Sequence, residues 1–480
     1  MPYLMSLFFL PLVSALLMGF LKGITRQQQQ WLAFLLSLLP LAFLLGSYPH
    51  WLGAEERYPW FPFLSIEFSL KVDFLSLLFL YLTAIVTPIS ILSLNPGKIN
   101  RPHYLYSLIL FLQGLLIGFF TANDLVVFTV FWEAMLFPLY FIISIWGGVN
   151  RKNAAFKFIV YLIAGSSLMI IGLLALYYSA GLETFAIDQL SNDSMIYSPW
   201  VFAVFALAFA VKAPLFPFHG WLPDSYYEAP IPGSILLAGL LSKASIYGFL
   251  RVGIGLFPSH MIEWSSIFLW LAIIGVFYGG LVAWMQDDFK KVIAYSSFSH
   301  VNFILVGIFA WSQISQSGAV MQAFNHGITI TALFLIVGWL YERVNTTDLN
   351  TFGGLARYFP QLCWITLFFV LSSIALPGLN NFIGEIMILW GLFISQPFPA
   401  ALLASTVILS ALYMLKWMQQ IYFGRPSQLS FMYRDISKKE IAICLPLILI
   451  ILGVGVYPAP IITKIKPSEH AIAIAPNERE

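Results

Sequence analysis

Residues 211–217 read Val211-Lys212-Ala213-Pro214-Leu215-Phe216-Pro217, inside an apolar run that begins near residue 200. Proline in a helix removes a backbone hydrogen bond and clashes with the preceding turn. A helix arriving here must break, and it breaks beside a lysine. A second stretch repeats the theme: Ala375-Leu376-Pro377-Gly378-Leu379-Asn380-Asn381 interrupts the apolar run 363–394, with Glu385 just beyond. The composition says what surrounds both breaks. Of 480 residues, 60% are apolar or aromatic and 10% are charged, with a mean hydropathy of +0.85. An average soluble domain is roughly 25% charged. So few charges cannot cover a soluble fold of this length, and the chain is expected to be an all-α polytopic membrane protein.

Working outward from the breaks, about 20 apolar residues are needed for a helix to cross the hydrocarbon. Fourteen candidate spans can be read, at approximately 4–21, 31–48, 74–93, 105–120, 124–146, 157–179, 200–218, 231–256, 266–285, 291–310, 317–341, 363–394, 399–422 and 440–460. The first lacks the basic flank and small-residue site of a cleaved signal. The runs are continuous, which excludes the alternating segments of a β-barrel. Basic residues gather in the loops after odd-numbered spans, among them Lys22, Arg26, Lys98, Arg101, Arg151, Lys152, Lys290, Lys291, Arg343, Arg425 and Lys438. Arg57, Lys71, Arg251, Lys464, Lys466 and Arg479 fall on the other side. Positive loops face the cytoplasm, so both termini are expected on the non-cytoplasmic side. The broken spans are five apart and therefore cross in opposite directions. Paired broken helices in inverted halves point to a transport site near the midplane. They divide the single membrane domain into halves of approximately 105–256 and 266–422.

Ionisable side chains deep in a span cost at least about 2.5–3.5 kcal/mol on insertion scales and are usually functional. Here they are Glu133, Lys212, Lys243, His300, His326, Glu385 and Lys416, each in a different span. A binding pocket would need them clustered, whereas a proton path needs titratable groups strung across the protein. Glu133, among aromatics in Phe131-Trp132-Glu133-Ala134-Met135, is either a structural carboxylate or the partner of a buried lysine. Lys212 and Lys243 carry the strongest signal, because burial opposes the ammonium while a carboxylate favours it. His300, His326 and the weaker His219 suit either interhelical hydrogen bonding or a relay, histidine being the side chain that titrates near neutral pH. Glu385 is the natural terminal acceptor. Lys416 lies about 9 Å from a span end at helical rise and could snorkel out. Asp224 and Glu228 could line an entrance or simply be wet. In 286–291, Asp287 and Asp288 stand at the positive end of the tenth helix.

The remaining totals exclude classes. A net charge of +2 argues against nucleic acid. No two of these histidines have the i, i+4 spacing of a zinc site. Cys363 and Cys444 form no CxxC and no haem or iron–sulfur spacing, so no redox cofactor is expected in this chain.

The stretches FWEAMLFPLYFIISIWGG, VKAPLFPFHGWLPDSYYEAPIPGSILLAGLLSKASIYGFLR, DDFKKVIAYSSFSHVNF, FNHGITITALFLIVGWLYER and LPGLNNFIGEIMILWG resemble one family over about residues 73–460. They are similar to the antiporter-like proton-pumping subunits of respiratory complex I, nearest the M-type subunit. The resemblance implies fourteen helices with two inverted five-helix repeats. It also implies a water-linked chain of charges in which Glu133 pairs with Lys212, Lys243 follows, His300 and His326 connect, and Glu385 is distal. NADH, FMN, iron–sulfur clusters and quinone would belong to partner subunits. Those partners would be the peripheral redox arm and other membrane subunits, neighbouring antiporter-like ones included, within a bacterial inner-membrane bilayer. Sodium/proton antiporter subunits share much of 211–251, and the plastoquinone-linked D subunits of photosynthetic (thylakoid) complexes are also similar; the histidine after AYSSFS and the carboxylate after NFIG favour the respiratory form. Read from the residues alone, three functions stay open: a redox-driven pump, a cation/proton antiporter without a redox partner, and a structural spacer.

Overall fold

A computed structural model describes residues 3–46, 50–180, 184–192, 198–424 and 434–465. Arg425, Lys466 and Arg479 of the charge count lie outside these. The described residues are mostly helical, and twelve helices are long and apolar enough to cross a membrane. Three shorter apolar helices, Pro199–Lys212, Pro360–Ser373 and Asn380–Ser395, account for the two interrupted runs. The fold is therefore a polytopic helical membrane protein. One departure from the all-helical expectation is a hairpin of β1 (Glu55–Phe61) and β2 (Ile66–Lys71), paired antiparallel with Glu55 opposite Lys71. Pro59 and Pro62 obscure its alternation in the sequence.

The chain forms two compact units. Among the described residues, the first comprises those of 3–213 and 228–264, and the second those of 214–227 and 265–465. The first of the three places where the chain passes from one unit to the other, 213/214, falls at the first proline break.

In the first unit, α1 (Tyr3–Phe20), α2 (Arg26–Gly46), α3 (Phe74–Leu92) and α4 (Pro102–Thr121) pack together. Next come α5 (Leu125–Ala134) and α6 (Leu136–Trp146), α7 (Arg151–Ala180), the short α8 (Ile187–Asn192), and α9 (Pro199–Lys212). The seventh run, 200–218, breaks where its prolines stand: α9 stops at Lys212, two residues before Pro214. Helix α9 packs on α7 at two glycines. A Cβ at Gly165 would meet Val211 at 2.9 Å, and one at Gly172 would meet Phe205 at 2.7 Å. Such small residues let membrane helices approach closely.

The eighth run is not a uniform helix. Two π-helical turns, Leu237–Leu241 and Phe249–Gly253, flank the regular segment α12 (Ser242–Gly248), with α11 (Ile231–Leu236) before and α13 (Ile254–Leu256) after. Wide turns of this kind gather at functional positions, and here they bracket Lys243.

After the short α10 (Leu222–Glu228), the second unit holds most of α14 (Pro258–Trp284), then α15 (Phe289–Phe309), α16 (Gln313–Val344), α17 (Pro360–Ser373), α18 (Asn380–Ser395), α19 (Pro397–Tyr422), α20 (Lys438–Val456) and the short α21 (Ala459–Ile462). The second break, between α17 and α18, turns through Gly378 at φ 92°, which glycine adopts without strain. It is tied to α16 by reciprocal amide bonds: Asn325 Nδ2 donates to the Asn380 carbonyl (2.7 Å) and Asn380 Nδ2 to the Asn325 carbonyl (3.1 Å). Ser372 Oγ donates to Asn380 Oδ1 at 2.7 Å.

The two units share a local device. Asp124 caps α5 by accepting from Val126 N and Val127 N, and Asp288 caps α15 by accepting from Lys290 N and Lys291 N. Beside the first cap, Leu125 N bonds Phe185 O and Ile187 N bonds Asn123 O; beside the second, Phe289 N bonds Thr347 O and Leu349 N bonds Asp287 O. Each cap is thus clipped by two backbone bonds to a loop further along its own unit.

Candidate functional site

Three of the expected residues lie in the first unit. Lys212, at the end of α9, is 1% exposed. Its Nζ donates to the Trp132 carbonyl at 2.7 Å and lies 3.6 Å from the centre of the Trp132 ring. An ammonium over an indole face is held by the ring quadrupole. Trp132 Nε1 donates to Ser166 Oγ at 3.1 Å, which fixes the ring. Glu133 is the next residue of α5, half-buried, within electrostatic reach of Lys212 and beside Ser166. The two form no ion pair within 4 Å among the described residues; the lysine rests on the backbone and ring of the glutamate's neighbour.

Lys243 is fully buried. Its Nζ donates to Ala238 O at 2.7 Å and to Ser242 Oγ at 3.2 Å. Ala238 belongs to the first π-helical turn, so the widened turn supplies the carbonyl that seats the ammonium. Helix α9 packs on α12 through Gly248, where a Cβ would meet the Phe209 ring at 2.9 Å. Phe209 also contacts Trp132, with centroids 5.4 Å apart, so one ring of α9 touches both α5 and α12.

The second unit gathers another set. His300 on α15 places Nδ1 at 3.2 Å from Glu385 Oε1 on α18, both side chains being nearly inaccessible. Gln322 Nε2 of α16 donates to the same oxygen at 3.1 Å. The His300 and His326 rings stand 5.6 Å apart, and the buried His300 Nε2 has no hydrogen-bond partner among the described residues. The imidazole–carboxylate contact thus joins α15 to α18, and Gln322 brings in α16.

Three candidates sit elsewhere. His219 stacks on Phe216 and lies tilted against Tyr278 and Phe298, at centroid distances of 5.6, 4.9 and 4.6 Å. Lys416 donates to the Trp284 carbonyl at 3.0 Å, a cation at the C-terminal end of α14. Glu228 staples α10 to the turn before α7. Its carboxylate accepts from Asn150 N at 2.9 Å and its carbonyl from Gly148 N at 2.8 Å.

Residues 122–412 match the family described as NADH:quinone oxidoreductase/Mrp antiporter, TM. The chain belongs to that family. The NADH-quinone oxidoreductase subunit M of Escherichia coli strain K12 is 36% identical over 459 residues, covering 90% of each chain. That of Rickettsia felis is 38% identical over 424 residues, covering 87% of this chain and 86% of the relative. A chain of respiratory complex I from Thermus thermophilus with bound NADH superposes with a TM-score of 0.89 at 31% identity, over 98% of each chain. A chain of the Mrp complex from Dietzia sp. superposes at 0.85 with 22% identity and shares the fold.

Sequence reading missed Gln322, because a neutral amide in an apolar run carries no charge signal. It also missed the pairing of Asp73 with Arg251, residues distant in sequence whose meeting depends on tertiary packing.

Proposed function

We propose that this chain is a proton-translocating membrane subunit of an NADH:quinone oxidoreductase. Flavin, iron–sulfur clusters, NADH and quinone belong to its partners, which are a peripheral redox arm and further membrane subunits, antiporter-like ones among them. The observation that carries the reading is Lys212, a buried ammonium resting on the backbone carbonyl of the residue before Glu133. Neutral acceptors and a nearby carboxylate hold the ammonium charged. A change of charge near Glu133 weakens that hold and releases the proton. Lys243, His300, His326 and Glu385 are the further stations, in that order, and His219 and Lys416 are peripheral to it.

The paired helix caps with their backbone clips, and the paired breaks, support two repeated halves of approximately 105–256 and 266–422. With positive loops inside, the termini lie on the non-cytoplasmic face of a bacterial inner membrane. The relatives named subunit M favour this over a thylakoid complex.

The test is to purify the native chain with its partners in mild detergent and record absorbance spectra and subunit masses. Flavin and iron–sulfur absorbance with peripheral redox subunits is the expected outcome. Small membrane partners without chromophores would instead mark a cation/proton antiporter.

A further inference from the structure

Beyond Lys243, a line of hydroxyls leads away from the residues discussed so far. Tyr247 follows Lys243 by four residues on α12, which places their Cβ atoms about 5–6 Å apart on one face. Its side chain is fully buried. Its Oη donates to Phe120 O at 2.9 Å and lies 3.0 Å from Ser76 Oγ, which is buried as well. The Ser76 backbone N–H donates to Asp73 Oδ1 at 2.8 Å, which sets the carboxylate on the turn that carries the serine. The Asp73 side chain is 39% exposed and is paired through Oδ2 with Arg251, four residues beyond Tyr247.

Helix capping accounts for Asp73, and pairing accounts for Arg251. Neither accounts for the two buried hydroxyls. Phenylalanine and alanine would pack at these positions without desolvating an O–H group. The geometry points to a proton branch in which Tyr247, Ser76 and Asp73 connect Lys243 to the membrane face at which α3 begins. This rests on the pumping reading above and adds a route within the first unit.

The step balances. The Lys243 ammonium leaves Ala238 O and turns toward Tyr247, whose own O–H turns from Phe120 O to Ser76 Oγ. An N–H bond breaks at Nζ as an O–H bond forms at Tyr247 Oη. The phenol proton passes to Ser76 Oγ and the serine proton to Asp73. Lysine is left neutral, tyrosine and serine each keep one proton, and Asp73 passes the proton to bulk water. Arg251 holds Asp73 ionised between transfers and repels cations arriving from outside.

The test measures protons moved per NADH oxidised by the assembled quinone reductase in sealed vesicles, for Tyr247→Phe, Ser76→Ala and Asp73→Asn. Asparagine caps a helix about as well as aspartate, so the last change removes the titratable group and keeps the cap. The expected result is a lower ratio for all three variants at equal subunit content, a shift that a purely structural role would not produce. An unchanged ratio in assembled variants overturns the branch. If Tyr247→Phe fails to assemble, Ser76→Ala and Asp73→Asn decide. Lys212→Ala measured alongside separates the two ideas. A lowered ratio there with unchanged branch variants removes only the branch, and an unchanged ratio there removes the pumping reading itself.

Discussion

The two units handle buried charge differently. In the first, each lysine is seated on backbone: Lys212 on the Trp132 carbonyl and Lys243 on the Ala238 carbonyl. In the second, the titratable groups touch one another, with His300 and Gln322 converging on one oxygen of Glu385. A carbonyl does not titrate, so each lysine can change protonation while its seat stays in place. The histidine–glutamate contact is made by two side chains instead, so replacing either one leaves the other without that partner. The first arrangement rests on main chain and the second on side chains.

The sharpest way to break this contrast is Lys212→Ala. Removing the cation leaves the Trp132 carbonyl without its donor and takes away the first station, so proton pumping should fall by about 10²-fold or more if the lysine transfers protons directly. Vesicle acidification with assembly checked by subunit content would measure it. Glu385→Gln should come next. It keeps an acceptor for Gln322 but removes the charge facing His300. If the two act as one site, the Glu385→Gln, His300→Ala double variant should lose little more than either single one. Additive losses in a pumping assay would show two independent groups.

Packing offers a smaller contrast. A Cβ at Gly384 would meet Gln322 Oε1 at 2.5 Å and its Cα at 2.8 Å, whereas one at Gly248 would meet only the edge of the Phe209 ring. Backbone cannot yield as a ring can. Gly384→Ala should therefore cost about 1–3 kcal/mol of overpacking and more than Gly248→Ala, read from thermal unfolding in detergent.

The smallest effect belongs to the hairpin. Asp188 on α8 accepts from Lys71 at 2.9 Å and from Arg57 at 3.1 Å, clipping β1 and β2 to α8. Burial by itself would raise the Asp188 carboxyl, but Lys71 and Arg57 outweigh it and hold it below its ordinary value. A lowered carboxyl stabilises above its unfolded value and loses that contribution as pH falls through the folded one. The half-exposed pairs are worth about 0.2–1 kcal/mol. Asp188→Asn should thus lower the melting temperature slightly at neutral pH and not at all in strong acid.

Much of this was legible in the sequence, for physical reasons. Hydrocarbon demands long apolar runs, and Pro214 and Pro377 announce breaks because each stands with a second breaker, Pro217 or Gly378, whereas Pro11, Pro40, Pro88 and Pro446 stand alone and stay inside helices. Charges such as Lys212 and Glu385 stand out because an apolar run makes them costly. The partners were not legible. The Ala238 carbonyl becomes a seat for Lys243 only because a turn widens there, and a π-helical turn has no residue signature. Lys212 was expected against Glu133 itself, yet it settles on the preceding carbonyl and ring. Lys416, prominent as a charge in a span, proves to cap α14. The hairpin at 55–71 was hidden by its prolines.

The central claim is that buried charges of this chain carry protons driven by redox chemistry elsewhere. The most direct measurement is the number of protons moved per NADH oxidised by the assembled complex carrying Lys212→Ala. The account predicts a lower ratio with the full complement of subunits present. A wild-type ratio from a fully assembled variant would contradict it and leave the buried lysine as a structural cation.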